Sequence, residues 1–417
     1  MEKVICITGN FPTGQRIVAA KAVYDQAIDP SSVSAESYQV EGRTIREASV
    51  QENTVLLTLD EHEKNAAVFV LPDFKGPGPG GPGGPGKPGG PGGPGKPGGP
   101  GRPGGMPKAQ MRPVEVKVAQ VREIKTISGE TLPGSGDFIC SSEKIQPVVD
   151  DFVQGEYKGL PYNLFSPKNA ENGKCYPLVV FVPDGGAAGE DVMITLAQGN
   201  GAVAWAEAAW QEKHPCYVLA PQPSFAFRFT NDEEETATDK LFILKELIDH
   251  VAEQNAVDKA RIYCTGQSGG GMCFAEMNIQ FPKMFAAAMF VACQWNAARF
   301  AAACRDKKFW TLVSHDDAKA FPGWNAMMEA LEQAGAKVGR YEWDAKESSE
   351  MLEAHARQAA ADGCPIHYTV FSGSSVVPED RAGNPMNNHH FTWPIAYGID
   401  AVKEWIFAQS LEADGNA

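Results

Sequence analysis

Short, unbroken apolar runs alternate with longer stretches of helical periodicity through the C-terminal two-thirds of the chain. Residues 176–183 (YPLVVFVP) are apolar throughout, the pattern of a strand covered on both faces. Residues 261–265, 309–314 (FWTLVS) and 368–371 (YTVF) have the same strand character, whereas 238–249 (TDKLFILKELID) and 399–407 (IDAVKEWIF) predict amphipathic helices. Strand followed by helix, repeated, predicts a mostly parallel sheet flanked by helices. The N-terminal third reads differently. Residues 15–24, 54–59, 67–71, 114–119 and 123–127 are β-rich runs separated by Asp, Ser, Gly and Pro, which predicts a small β-sandwich. The change of pattern near Gly134-Ser135-Gly136 divides the chain into an expected sandwich domain, 1–135, and an α/β domain, 136–417.

Residues 76–105 interrupt the first domain with a Gly/Pro-rich, collagen-like tract. From Gly80 to Pro103 glycine recurs every third residue and proline closes each triplet, with Lys87, Lys96 and Arg102 at middle positions. Such a segment cannot pack a core and favours extended polyproline II geometry. A trimerising triple helix and a solvated loop are both compatible with it. The flanking strands of a single domain favour the loop, as an enlarged hairpin connection.

The chemistry is concentrated in Gly266-Gln267-Ser268-Gly269-Gly270, a G-x-S-x-G that follows a predicted strand and leads into a helix. Strand, sharp turn and helix together form a nucleophile elbow. A serine hydroxyl is a weak nucleophile, so it needs exposure at a tight turn, a base beside it and amide donors aimed at the developing oxyanion. Gly266 and Gly270 carry no Cβ to clash where strand meets helix, and the Gly269 amide is placed to serve as one donor. Small residues after the 176–183 strand, Asp184-Gly185-Gly186-Ala187, supply the second, with Gly185 first and Gly186 next. An acid and a base follow in the order that the elbow requires. Asp317 ends the 309–314 strand and is the expected acid, with Asp316 its rival and a helix N-cap the structural alternative for either. The base is expected on a loop before the last helix, at Asn387-Asn388-His389-His390, where two of the eight histidines fall. No Cys or carboxylate at ligand spacing accompanies the histidine pair, so no metal or other cofactor is expected.

These motifs resemble those of α/β-hydrolase esterases related to polyhydroxybutyrate depolymerases and prolyl oligopeptidase-like hydrolases, in a branch with an N-terminal immunoglobulin-like domain. The resemblance rests on Pro183-Asp184-Gly185-Gly186, the elbow, Phe290-Val291-Ala292-Cys293-Gln294-Trp295, Asp317-Ala318-Lys319-Ala320-Phe321-Pro322-Gly323, and Asn388-His389 with Thr392-Trp393. It implies the α/β-hydrolase fold after an Ig-like sandwich. It also implies carboxylic ester hydrolysis by Ser268, Asp317 and His389. Pro183-Asp184 stands where many relatives have His-Gly or His-Asp, which leaves the oxyanion donor open, and His390 leaves the base open by one position. A peptidase or acyltransferase would use the same triad, and a non-catalytic scaffold would not need it.

Composition narrows the partners. A net charge of −15 without a basic cluster argues against nucleic acid and anionic membranes, leaving small-molecule or polymer-linked esters, with self-association possible. The acidic run Asp232-Glu233-Glu234-Glu235 reads as a solvated loop, near the substrate side in the resemblance. Trp295 and Trp324 suit either a substrate pocket or the core. Nine cysteines without C-x-x-C pairs read as reduced thiols, and neither a leader nor a spanning segment is apparent, so a cytoplasmic enzyme is expected.

Overall fold

A computed structural model describes residues 1–70, 109–384 and 386–411. Two sheets share the N-terminal core. One runs in the order Glu143–Ile145, Lys3–Phe11, Gly14–Val23, Thr54–Leu59, Ile45–Gln51, and the other in the order Ile139–Cys140, Lys117–Gln120, Tyr38–Val40. Alternate residues of these strands point inward, so Val4, Ala22, Leu57 and Val118 close into one cluster, which Tyr24 and Ile124 join from outside the two sheets. Residues 139–145 pair within these sheets, past the expected boundary near 135, because Ile5 to Ile7 lie in parallel register with Glu143 to Ile145. The collagen-like tract itself lies outside the described residues. Its flanks, Phe69–Val70 and Gln110–Met111, pair antiparallel, as a hairpin connection requires.

The second part of the chain carries β1 (Phe152–Tyr157), β2 (Leu160–Phe165), β3 (Tyr176–Val182), β4 (Tyr217–Pro221), β5 (Val257–Gln267), β6 (Ala287–Val291), β7 (Phe309–Ser314), β8 (Val338–Trp343) and β9 (Ile366–Phe371). They form one sheet in the order β1-β2-β4-β3-β5-β6-β7-β9-β8. Only the β1–β2 and β2–β4 pairings are antiparallel. All residues of β3, β4, β6 and β7 are buried, because helices cover both faces of the sheet centre. The helix Asp239–Gln254 starts where Thr238 Oγ1 accepts the Lys240 amide, and Leu241, Leu244, Leu247, Ile248 and Val251 form its buried stripe. All nine cysteines are unpaired. No described helix is long and apolar enough to cross a membrane.

One core group titrates far from its usual range. His367 on β9 is wholly buried, stacked on Trp310 at 4.3 Å and edge-on to Trp405 at 4.5 Å, with Nδ1 3.1 Å from Tyr341 Oη. Burial lowers its pKa to about 4. The unfolded chain therefore takes up this proton near pH 6.5 while the native state refuses it until about pH 4. Stability from this group is present above pH 6.5 and is lost as pH falls toward 4, by about 3 kcal/mol. Urea unfolding of wild type and His367→Phe at pH 7 and 4.5 should show the wild type losing about 2 kcal/mol more between the two values. Equal losses would remove this role for His367.

Candidate active site

Ser268 ends β5 and begins the helix Gly269–Gln280. Its backbone, φ 50° and ψ −119°, lies outside the basins that an L-residue ordinarily occupies. The turn is held from both sides. Ser268 N donates to Val291 O at the end of β6 (2.9 Å), and Met272 N donates to Ser268 O (3.0 Å). Strand and helix meet closely: a Cβ on Gly266 would lie 2.4 Å from the Gly270 carbonyl carbon, and one on Gly270 would lie 1.9 Å from Val182 O. The two glycines around the serine are therefore required by backbone contact.

The loop after β3 brings the expected amide donors together. Asp184 caps a single 3-10 turn, Gly185–Ala187, by accepting the Gly186 amide at 2.8 Å, so that amide is already committed. The Gly185 amide lies beside the elbow, 3.3 Å from where a Cβ of Gly269 would stand. Gly185 and Gly269 are thus neighbours, as an oxyanion hole requires. The second oxygen of Asp184 accepts from Gln267 Nε2 (3.2 Å), which also donates to Gln198 Oε1 (2.9 Å). All three side chains are buried, and they tie the donor loop to the residue before Ser268. Gln198 adjoins Ala197, whose carbonyl oxygen would be 2.9 Å from a Cβ on Gly14, so the first hairpin of the chain abuts this brace. Nothing in the sequence singled out Gln198, Gln267 or the Asp184 side chain for this role.

Asp317 and His389 meet at the far side of the elbow. Asp317 Oδ2 and His389 Nδ1 are 2.6 Å apart, while Asp317 Oδ1 accepts the amides of Lys319 and Ala320 at 3.0 and 2.9 Å. Asp317 therefore holds the turn that leads into the helix Ala320–Gln333 and the histidine at once. Burial pushes its carboxyl up, but the His389 contact and the two amides outweigh it and hold the group below the usual carboxylate range. Asp316 is exposed and turned elsewhere, to His315 Nδ1 at 2.9 Å and to the Ser374 hydroxyl at 2.6 Å.

His389 does not sit on a loop, as expected, but within the helix Met386–Ala396. Pro394 inside that helix is the residue that makes the sequence read as a break. Asn388, buried, pins the helix to the sheet: its Oδ1 accepts from Ser314 Oγ at the end of β7 (3.1 Å) and its Nδ2 donates to Ser374 Oγ (3.2 Å). His390 makes no hydrogen bond among the described residues. Its ring packs edge-on to His389 and Trp393, and desolvation followed by the charge of His389 lowers its pKa. Ser268 Oγ likewise makes no hydrogen bond among the described residues, so hydroxyl and imidazole are not joined in this structure. Among the described residues no group of His, Cys, Asp and Glu is placed to hold a metal ion.

A cleft opens beside Gly185 and Gly269, bounded by the loop after β3, by residues 223–232 after β4, and by Cys273. Asp232 of the acidic run reaches this cleft. Trp295 and Trp324 do not line it. Trp295 Nε1 donates to the buried Glu276 at 2.8 Å, and Trp324 packs against Phe290, Phe300 and Phe309. Both are core residues.

No protein-family model and no curated protein matches this chain. Among solved structures it is similar to a thermostable esterase, with 21% identity and a TM-score of 0.77 over 98% of this chain and 100% of that one. It is also similar to a mutant of the feruloyl esterase module of Clostridium thermocellum complexed with sinapinate, at 15% identity and TM-score 0.42 over 64% of this chain and 90% of that one. An acylaminoacyl peptidase aligns at 11% identity and TM-score 0.38, over 66% of this chain and 45% of that one. With its sheet order and the first of these likenesses, the chain has the α/β-hydrolase fold.

Proposed function

We propose that this protein is a serine carboxylesterase, related to the polyhydroxybutyrate depolymerase-like esterases that carry an N-terminal immunoglobulin-like domain. The observation that carries this reading is the strained turn at Ser268, at the carboxyl end of the central strand, where open α/β sheets gather their chemistry. In this reading Ser268 Oγ attacks the ester carbonyl carbon and His389 Nε2 takes its proton. Asp317, bound to Nδ1, fixes the tautomer that leaves Nε2 unprotonated and stabilises the imidazolium. The amides of Gly185 and Gly269 receive the oxyanion. Collapse breaks the bond to the alcohol oxygen, which leaves with the proton held by His389, and water then repeats the sequence on the acyl-serine. Such contacts tighten in the Michaelis complex, so the lack of a hydrogen bond between Ser268 Oγ and His389 here does not remove the histidine as base.

The test is covalent labelling coupled to turnover. A fluorophosphonate should add to one serine, identified as Ser268 by peptide mass, and should abolish hydrolysis of p-nitrophenyl acetate and butyrate in the same proportion. Labelling at another residue, or full turnover after stoichiometric labelling of Ser268, would overturn the reading.

A further inference from the structure

The strand order separates the two sides of the candidate site. The loops after β3 and β4 lie on one side of the elbow on β5, and β6, β7 and β9, with Asp317 and His389, lie on the other. A base that returns its proton to the departing oxygen must stand on the leaving-group side. The alcohol therefore departs over His389. The acyl group, pivoting about a carbonyl oxygen held by Gly185 and Gly269, falls on the opposite side, where the cleft opens. No residue of 315–319 or 386–396 lines that cleft.

Its buried walls are Pro183, Ala188, Pro223, Phe229 and Cys273, which suit an apolar chain. Arg228 and Asp232, the exposed members of the lining, stand at its solvent edge. Arg228 Nη1 is 3.9 Å from Asp232 Oδ2, too far for a hydrogen bond, and this is the only polar contact of the guanidinium among the described residues. Asp232 Oδ1 is already engaged, accepting from Thr230 Oγ1 at 2.9 Å. A planar group with five donors thus borders the cleft with its donors unspent. The charge around it opposes a second anion, because Asp232 begins a run of four acidic residues on a chain of net charge −15.

Resting on the esterase reading, we propose that this cleft is the acyl subsite. We further propose that Arg228 is its specificity-determining residue, selecting uncharged acyl groups with a hydrogen-bond acceptor at the far end over plain alkyl chains. A donor aimed at an acceptor discriminates more sharply than an apolar wall, since the analogue without the acceptor leaves the guanidinium unpaired while displacing its water.

The experiment compares p-nitrophenyl 4-oxopentanoate with p-nitrophenyl 4-methylpentanoate, esters of nearly the same shape that differ in a carbonyl oxygen. Their kcat/KM ratio, corrected for the ratio of their alkaline hydrolysis rates, is measured for wild type and for Arg228→Met. The wild-type ratio should favour the oxo ester by about tenfold, and Arg228→Met should bring it close to one. Turnover with the same ratio in both proteins would overturn this inference alone. A wild type that prefers the hemisuccinate ester to the oxo ester would overturn its uncharged part, assigning Arg228 to a carboxylate. A wild type no faster than Ser268→Ala on every ester would overturn the esterase reading beneath it. Thermal unfolding of Arg228→Met, expected within about 1 °C of wild type for an exposed side chain, separates lost recognition from lost folding.

Discussion

Ser268→Ala is expected to lower kcat for p-nitrophenyl butyrate by about 10,000-fold or more, with KM changed little. The size follows from the mechanism, because without Oγ no acyl-enzyme forms and the remaining donors act only on attack by water. The neighbours of the serine should then sort by geometry. His389→Ala should approach the Ser268→Ala loss, since the two groups act as a unit. Asp317→Asn should cost on the order of 1,000-fold, because an amide facing Nδ1 no longer selects the tautomer with a free Nε2. Asp316→Asn and His390→Ala should each stay within about threefold, as Asp316 is bound to His315 and Ser374 and His390 makes no hydrogen bond to either acid among the described residues. A large loss in His390→Ala with His389→Ala active would reassign the base. Equal losses in both aspartate variants would show that the 2.6 Å contact between Asp317 and His389 does not distinguish them.

Which parts of this site the sequence could reveal depends on how local the physics is. The elbow is legible because strand, glycines and helix lie within a dozen residues and each is demanded by a short-range contact. The buried run of β3 is legible because coverage on both faces removes every polar position from it. The edge hairpin of β1 and β2 has no such signal: β1 buries Phe152 and leaves Val153, Gln154 and Glu156 exposed, so no unbroken apolar run marks it. The helix around His389 was obscured by Pro394, whose missing amide ordinarily marks a helix end. Least legible is the brace of Asp184, Gln267 and Gln198. Asp184 and Gln198 lie 83 and 69 positions from Gln267, and it takes the parallel pairing of β3 and β5 to bring these neutral and acidic side chains into a buried network. The expected acid and its structural alternative were not rivals. Asp317 accepts two amides at the entry to the helix Ala320–Gln333 with one oxygen and meets His389 with the other, so the two uses do not compete.

Gly270→Ala is expected to be the most destabilising single substitution at the elbow, although alanine is the better helix former by about 1 kcal/mol. The added methyl would stand 1.9 Å from Val182 O, 2.6 Å from Val182 C and 2.8 Å from Pro183 O, all main-chain atoms that no rotamer change can move. Relief requires the helix Gly269–Gln280 to back away from the end of β3, which separates Ser268 from the Gly185 loop. Overpacking of this kind costs about 3 kcal/mol, enough to lower Tm by roughly 6–10 °C in a domain of this size. Gly271→Ala should be milder, because its closest contact, Cys293 Sγ at 2.6 Å, can turn aside, leaving Cys293 Cβ at 2.8 Å and Gly266 O at 3.1 Å to give way. The Gly271→Ala/Cys293→Ala double variant should recover only the part of the loss due to Sγ, because the Cβ of residue 293, 2.8 Å from the new methyl, remains. Gly185→Ala has open space around its Cβ and should leave Tm within about 1 °C of wild type. Gly269→Ala differs from all three. Its methyl would sit 3.3 Å from the Gly185 amide, in the space between the two proposed donors, so kcat should fall by about tenfold or more while Tm changes little. Calorimetry and p-nitrophenyl butyrate turnover on the four variants would separate these cases. A Gly270→Ala protein that melts with the wild type would show that β3 and the elbow helix are not held in the contact on which the proposed oxyanion hole depends.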